Sequence, residues 1–98
     1  SAKKPCRRRL KMMKKTVTVT NKLGLHARPS ALLVRAATKY RSEFHIEKDG
    51  TKVNGKSIMG VMMLAAECGS SLELIADGVD EEYLIEEISE MISSGFGE

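Results

Sequence analysis

Residues 24–31, GLHARPSA, place an imidazole, a guanidinium and a proline where an apolar pattern with helical spacing begins. Proline is tolerated in the first turn of a helix, because an N–H group there has no intrahelical acceptor. Pro29 therefore predicts that a helix starts within a residue or so of His26. The backbone amides of that first turn, including those of Ala27 and Arg28, favour a bound anion together with the helix dipole.

This combination of residues is suited to phosphoryl transfer. An imidazole offers a nucleophilic nitrogen near neutral pH, and the guanidinium of Arg28 offers a planar fork of donors for phosphate oxygens. Transfer to a neutral imidazole needs alignment and charge stabilisation rather than a general base. The same residues also fit an ordinary helix start, with His26 as a surface cap and Arg28 as a solvated charge, so the motif alone leaves both interpretations open.

Ser57 is a second candidate site. It precedes IMGVMM, a segment with helical spacing, so it is expected to cap a helix, a role worth about 1 kcal/mol. A phosphate on Ser57 would add roughly −1.5 to −2 charges at a helix N-terminus, which accommodates anions. Met59, Met62 and Met63 cannot all face inward from one helix, and exposed methionines form adaptable contact surfaces.

Hydropathy periodicity gives the order of the elements that position these residues. The sequence predicts strands at 16–20, 43–47, 51–53 and 72–76, and helices that begin at Ala27, after Ser57 and after Asp80. The second helix is expected to end at Gly69, and Asp49-Gly50 indicates a hairpin turn. The order β-α-β-β-α-β-α contains a hairpin, which excludes an all-parallel sheet. We predict an α+β fold, a four-stranded antiparallel sheet covered on one face by three helices.

The charge is distributed unevenly along the chain. Eight of the 16 Lys and Arg residues lie within residues 1–15, which contain no acidic residue, while residues 16–98 hold the other eight and all 13 acidic residues. The basic segment predicts a disordered extension over residues 1–13, native or left by cloning, followed by one domain over residues 14–98. A nucleic-acid-binding arm is disfavoured, because no aromatic residue interleaves the basic ones and the rest of the chain is acidic.

The cysteines and histidines argue against a metal site. Cys6, Cys68, His26 and His45 show no metal-ligand spacing, so we expect neither a metal nor a cofactor. A disulfide between Cys6 and Cys68 is not expected, since Cys6 lies in the extension, and this cysteine usage favours a reducing, cytoplasmic location. No apolar run approaches the roughly 20 residues of a membrane helix, and no signal peptide is recognised.

GLHARPSA, followed some thirty residues later by NGKSIMGVMML, resembles the HPr family, the histidine-containing phosphocarrier proteins of the bacterial phosphoenolpyruvate-dependent sugar phosphotransferase system. The resemblance covers residues 14–98, including the terminal GFGE. It implies an open-faced β-sandwich, in which His26 accepts a phosphoryl group on its δ nitrogen from enzyme I and passes it to the IIA domains of sugar transporters. Arg28 would bind the phosphoryl oxygens. Such a protein is a consumed phosphoryl donor, and a monomer, rather than a turnover enzyme.

The resemblance also implies regulation. Ser57 matches the position that an ATP-dependent kinase/phosphorylase modifies in some bacteria, where the phosphorylated form acts with a catabolite-control transcription regulator. Ile58, Met59 and Met62 resemble the surface on which partners dock. Two alternatives remain open: a phosphocarrier of the nitrogen-regulatory branch, and a regulatory binding protein that acts only through phosphorylated Ser57. Gly55 stands where a larger residue is frequent in the family, which is expected to loosen the loop before Ser57.

Overall fold

The computed structural model describes residues 12–97, and its elements follow the predicted order. The strands are β1 (Met13–Thr18), β2 (Glu43–Lys48), β3 (Thr51–Asn54) and β4 (Ser71–Asp77), and the helices are α1 (Ala27–Ala37), α2 (Ile58–Met63) and α3 (Glu81–Ser93), followed by a short 3-10 turn at Gly95–Gly97. Neighbouring strands are antiparallel, in the spatial order β1-β4-β2-β3. The predicted four-stranded antiparallel sheet with three helices is confirmed.

The core lies between the sheet and the helices. Phe44 and Ile46 of β2 are fully buried, and they alternate with residues of β2 that are exposed or half-buried. Helix α3 packs on β1 and β4, and α1 packs on α2 and α3. The largest buried side chains that the helices and β4 contribute are Leu33, Leu72, Leu74, Leu84, Ile85, Ile88 and Ile92. One face of the sheet is therefore covered, as the period-2 pattern of the strands predicts.

The hairpin between β2 and β3 turns at Asp49 and Gly50. Both residues have positive φ, 49° for Asp49 and 84° for Gly50. A two-residue loop with positive φ at both positions matches the twist of the flanking strands, and the register follows directly, with Lys48 opposite Thr51. The turn expected from the Asp-Gly pair is therefore present.

Strand β1 begins earlier than its sequence pattern indicated. Met13, the last residue of the predicted extension, pairs with Ala76 of β4, and Met13 packs partly buried against the core. Backbone pairing with β4 brings the basic residues Lys14 and Lys15 into the sheet, although their charges interrupt the apolar alternation. Residues 1–11, which include Cys6 and most of the predicted extension, lie outside the described residues.

Helix α2 is shorter than predicted. It ends at Met63 with Leu64 as its C-cap, and Ala65 has a positive φ of 49°, so the helix does not continue to Gly69. The segment that follows bonds to other parts of the chain instead of continuing the helix. The carbonyl of Ala66 accepts from the N–H of Leu25 at 2.9 Å, and the N–H of Gly69 donates to the carbonyl of Val19 at 2.8 Å.

Asp80 occupies the predicted N-cap position of α3, but its carboxylate makes no capping hydrogen bond. The carboxylate instead accepts from the backbone N–H groups of Arg41 and Ser42, each at 2.9 Å, and from the hydroxyl of Ser42. These bonds lower the pKa of Asp80 below its ordinary value, and the bond from the Ser42 hydroxyl has the largest effect. Asp80 therefore fastens the loop that leads into β2 to the start of α3.

The lowered pKa of Asp80 makes its contribution to stability dependent on pH. An ionised carboxylate stabilises the fold at neutral pH, and the stabilisation is lost as the pH falls below the ordinary value of 3.8 and through the lowered one. Asp80→Asn is expected to reduce the free energy of unfolding by roughly 1–2 kcal/mol at neutral pH. The difference from wild type should shrink in acid.

Urea unfolding over a series of pH values measures this difference. Asp77→Asn, which removes an exposed carboxylate from the end of β4, serves as the matched control and should have little effect. If Asp80→Asn lowered the free energy of unfolding by the same amount at every pH, the stabilising role of the ionised Asp80 carboxylate would be contradicted.

Candidate functional site

His26 lies at the N-cap of α1, as Pro29 predicts. Its backbone is extended (φ −80°, ψ −169°), and its carbonyl accepts from the N–H of Ser30 at 3.0 Å, which closes the first turn of the helix. The residue as a whole is half-buried, whereas its Nε2 atom is buried. An incoming group therefore cannot reach Nε2 in this conformation.

Hydrogen bonds within the loop before His26, and one to the segment after α2, hold this loop in place. The N–H of Gly24 donates to the carbonyl of Asn21 at 3.0 Å, and the side-chain amide of Asn21 donates to the carbonyl of Gly24 at 2.6 Å. The same carbonyl accepts from the N–H of His26 at 3.0 Å. The bond from Leu25 to Ala66 ties the loop to the segment after α2. His26 thus starts its helix from a fixed position.

Gly24 is required by this arrangement. Its φ is +69°, and a Cβ atom built on it would overlap the carbonyl oxygen of Ala66. Glycine satisfies both conditions, because it has no Cβ and adopts positive φ at little cost. The close approach of the loop to Ala66 is therefore encoded at Gly24.

The first turn of α1 presents the donors that the sequence predicted. The amides of Ala27 and Arg28 have no acceptor within the helix, and the first turn contains no acidic residue. Arg28 is exposed, and within residues 12–97 no ion pair involves it. The unpaired amides and the positive end of the helix dipole favour an anion at this helix start, so the predicted role of Ala27 and Arg28 in holding phosphoryl oxygens stays a prediction.

Ser30, which follows Pro29, is fully buried, and its hydroxyl donates to the carbonyl of Leu25 at 3.1 Å. The hydroxyl is therefore satisfied where it lies, and it connects α1 back to the loop that carries His26. Nothing in this contact disturbs the first turn, so serine at this position is compatible with the site.

Ser57 caps α2, as predicted. Its Oγ accepts from the N–H of Gly60 at 3.1 Å, and the residue is half-buried. The preceding Lys56 is held by its Nζ, which donates to the carbonyl of Tyr40 at 2.7 Å. Ser57 does not lie in the first turn of α1, so the two candidate sites belong to different helices.

The expectation that Gly55 loosens the loop before Ser57 is wrong. Gly55 is buried, its N–H donates to the carbonyl of Phe44 at 2.8 Å, and a Cβ on it would overlap the ring of Phe44. The missing side chain lets the backbone pack directly on the buried aromatic ring. The loop is therefore fixed by close packing rather than loosened.

An exposed apolar patch lies on α2. Its members are Ile58, Met59, Met62 and Met63, and the exposed fractions of Met59 and Met63 are 72% and 73%. Val61, by contrast, is fully buried and anchors the helix to the core. The predicted surface residues Ile58, Met59 and Met62 are thus brought together, and Met63 extends the patch.

Leu23 was not singled out by the sequence. It is 73% exposed and stands next to Gly24, in the loop that leads to His26. The signal that could have identified it was its position directly before GLHARPSA, where nothing in the hydropathy pattern requires an apolar residue.

Within residues 12–97, no group of three or more His, Cys, Asp or Glu side chains is arranged to hold a metal ion. Among the helices of the same residues, none is long and apolar enough to cross a membrane.

Comparison with known proteins identifies relatives over most of the chain. Residues 13–94 match the family model described as the PTS HPr component phosphorylation site. The phosphocarrier protein HPr of Treponema pallidum is 47% identical over 87 residues, 89% of this chain and 99% of that protein. The HPr-like protein Crh of Halalkalibacterium halodurans is 53% identical over 75 residues, 76% of this chain and 89% of that protein. A crystal structure of HPr from Thermoanaerobacter tengcongensis superposes with a TM-score of 0.85 at 48% identity, covering 88% of this chain and 97% of that one.

The close contact at Gly24 can be tested against a glycine with open surroundings. Gly50 also has positive φ, but a Cβ on it would meet nothing within 4 Å. Gly50→Ala should therefore cost only the conformational strain, about 1–2 kcal/mol, whereas Gly24→Ala should cost about 1–3 kcal/mol more because of the overlap with Ala66. Chemical denaturation measures both, and equal losses would contradict a packing constraint at Gly24.

Proposed function

Because the chain belongs to the HPr family of phosphocarrier proteins, we propose that it accepts a phosphoryl group on Nδ1 of His26 from phosphorylated enzyme I. The group then passes to the IIA domains of sugar transporters. The observation that carries the proposal is the placement of His26 at the N-cap of α1, with Nε2 buried and the first-turn amides beside it.

The chemistry follows from that placement. Nδ1 of the neutral ring attacks phosphorus, and the bond between phosphorus and the donor's leaving atom breaks as the new N–P bond forms. The attacking nitrogen carries no proton, so no general base is needed. Negative charge on the three phosphoryl oxygens is met by the amides of Ala27 and Arg28 and by the Arg28 guanidinium. Transfer onward reverses these steps, and the chain is regenerated.

The apolar patch supplies the docking surface in this proposal. Enzyme I and the IIA domains would contact Ile58, Met59, Met62 and Met63, all of which are exposed on α2. Unbranched methionine side chains adapt to differently shaped partners, and such adaptability suits a carrier that must dock on a donor and on several acceptors in turn.

Ser57 is proposed as a regulatory phosphorylation site for an ATP-dependent kinase/phosphorylase. Its hydroxyl caps α2 next to the apolar patch, so a phosphate on it would place roughly −1.5 to −2 charges beside the docking surface. That charge would oppose the docking of an acidic partner while creating a new surface for a catabolite-control transcription regulator. The regulatory effect would then act on binding rather than on the ring of His26.

A second candidate function is regulation through Ser57 alone. It is favoured by the similarity to HPr-like proteins named Crh, from Halalkalibacterium halodurans and Bacillus subtilis. This chain retains His26 in the geometry described above, which supports the phosphocarrier. Separate substitution of His26 and Ser57 distinguishes the two functions.

We further propose that the protein acts as a monomer in the cytoplasm. Lys14 and Lys15 lie on β1 and Lys52 lies on β3, and these two strands are the edges of the sheet. Charged edge strands oppose pairing between copies. An HPr from Thermoanaerobacter tengcongensis has been solved as a dimer, so gel filtration of the wild type decides this point. The exposed free thiol of Cys68 is compatible with a reducing compartment.

Incubation with enzyme I and labelled phosphoenolpyruvate tests the phosphocarrier. Wild type should acquire an acid-labile, base-stable phosphate, and His26→Ala should acquire none. Arg28→Ala should be phosphorylated about 100-fold more slowly, since it lacks a donor to the transferred group.

Arg35→Ala, which removes an exposed arginine from the last turn of the same helix, is the matched control and should behave as wild type. Labelling of His26→Ala, or equal rates for the two arginine variants, would overturn the assignment of these roles.

Substitution of Ser57 separates capping from charge. Asp caps helices about as well as Ser, so Ser57→Asp should retain the free energy of unfolding, whereas Ser57→Ala should lose about 1 kcal/mol. Ser57→Asp should nevertheless raise the KM of enzyme I for this protein, because it adds a negative charge beside the patch, and Ser57→Ala should not. Equal KM values for the two variants would contradict the proposed regulation.

A further inference from the structure

Asn21 is a buried polar residue whose amide has a defined partner. Its exposed fraction is 4%, and its Nδ2 donates to the carbonyl of Gly24 at 2.6 Å. Burial of a side-chain amide is unfavourable unless its groups are hydrogen-bonded. The position of Asn21 is therefore coupled to that of the Gly24 carbonyl.

The Gly24 carbonyl connects Asn21 directly to His26. It accepts from Asn21 Nδ2 and also from the backbone N–H of His26 at 3.0 Å, while the N–H of Gly24 returns a bond to the carbonyl of Asn21. The turn over residues 21–24 is thus closed by both side chain and main chain. Any rotation of the Gly24 peptide would change the direction of the N–H of His26, and with it the backbone angles at the N-cap.

Several backbone bonds that attach this region to the rest of the fold do not involve the side chain of Asn21. Leu25 is tied to Ala66, and Val19 is tied to Ser70 and Gly69 by backbone bonds on both sides of the turn. Removing the side chain of Asn21 would therefore leave the loop attached to the fold and alter mainly the segment from 21 to 26. A local change of this kind affects the geometry of His26 more than the overall stability.

We propose that Asn21 is a positioning residue for phosphoryl transfer. Its amide donor fixes the Gly24 carbonyl, and this fixes the ring of His26 relative to the amides of Ala27 and Arg28. The inference rests on the proposed function of His26, and it assigns to Asn21 no contact with the phosphoryl group. Small displacements of a reacting group are enough to slow transfer about 100-fold.

The test compares Asn21→Ala and Asn21→Asp with Ser42→Ala as substrates of enzyme I. An ionised Asp has the shape of Asn but cannot donate to a carbonyl, so both Asn21 variants lose the same bond. Ser42 is also a buried polar residue with hydrogen bonds to Asp80. It precedes β2 at the Asp77 end of the sheet, whereas His26 lies at the Ser71 end. Ser42→Ala therefore reproduces a loss of buried hydrogen bonding far from the site.

For both Asn21 variants we expect the kcat of enzyme I to fall tenfold or more, roughly the effect of a misplaced nucleophile. The KM should change less than about twofold, because the apolar patch is untouched. The imidazole ¹⁵N signals of His26 should shift in both variants. Ser42→Ala should retain the wild-type kcat and His26 signals, even where it unfolds at a lower urea concentration.

Three outcomes would overturn the inference. The first is a wild-type kcat in both Asn21 variants, and the second is an equal fall in Ser42→Ala, which would show a general effect of stability. The third is an unlabelled His26 in the wild type, which would overturn the proposed function together with this inference. A labelled wild type combined with either of the first two results rejects the role of Asn21 alone.

Discussion

The site depends on the hydrogen bonds that fasten the loop before α1 to the segment after α2. Leu25 donates to the carbonyl of Ala66, and Gly24 has neither the Cβ nor the conformational restriction that would prevent this approach. Within the loop, the carbonyl of Gly24 accepts from both Asn21 and His26. The backbone of His26 therefore enters its helix from a position set by the rest of the fold.

The same contact also connects the apolar patch of α2 to the loop that carries His26. The segment from Ala65 to Ser70 ends α2 after six residues and then holds the loop of His26 before it enters β4. The apolar patch of α2 and the loop that carries His26 are consequently connected through a short stretch of backbone. Under the proposed function, a partner docked on Met59 and Met62 would therefore meet a surface with a fixed relation to His26.

Much of this arrangement could be predicted from the sequence, because it depends on local rules. Pro29 located the start of α1, Asp49-Gly50 located the hairpin, and Ser57 was identified as a cap. The end of α2 could not be predicted, since helical spacing continues past Met63, whereas the segment after Leu64 instead bonds to distant residues such as Leu25 and Val19. The start of β1 at Met13 was missed for a similar reason: pairing with β4 outweighs the charges of Lys14 and Lys15. The tight packing of Gly55 on Phe44, and the burial of Asn21, also result from tertiary contacts that no local pattern records.

The central claim is that the fold presents Nδ1 of His26, and not Nε2, to the phosphoryl donor. Nuclear magnetic resonance of the phosphorylated, ¹⁵N-labelled wild-type protein tests it most directly, because the coupling between ³¹P and a ring ¹⁵N identifies the nitrogen that carries phosphorus. The structure predicts coupling to Nδ1 of His26, since Nε2 is buried. Phosphorus bonded to Nε2, or to a residue other than His26, would contradict the account.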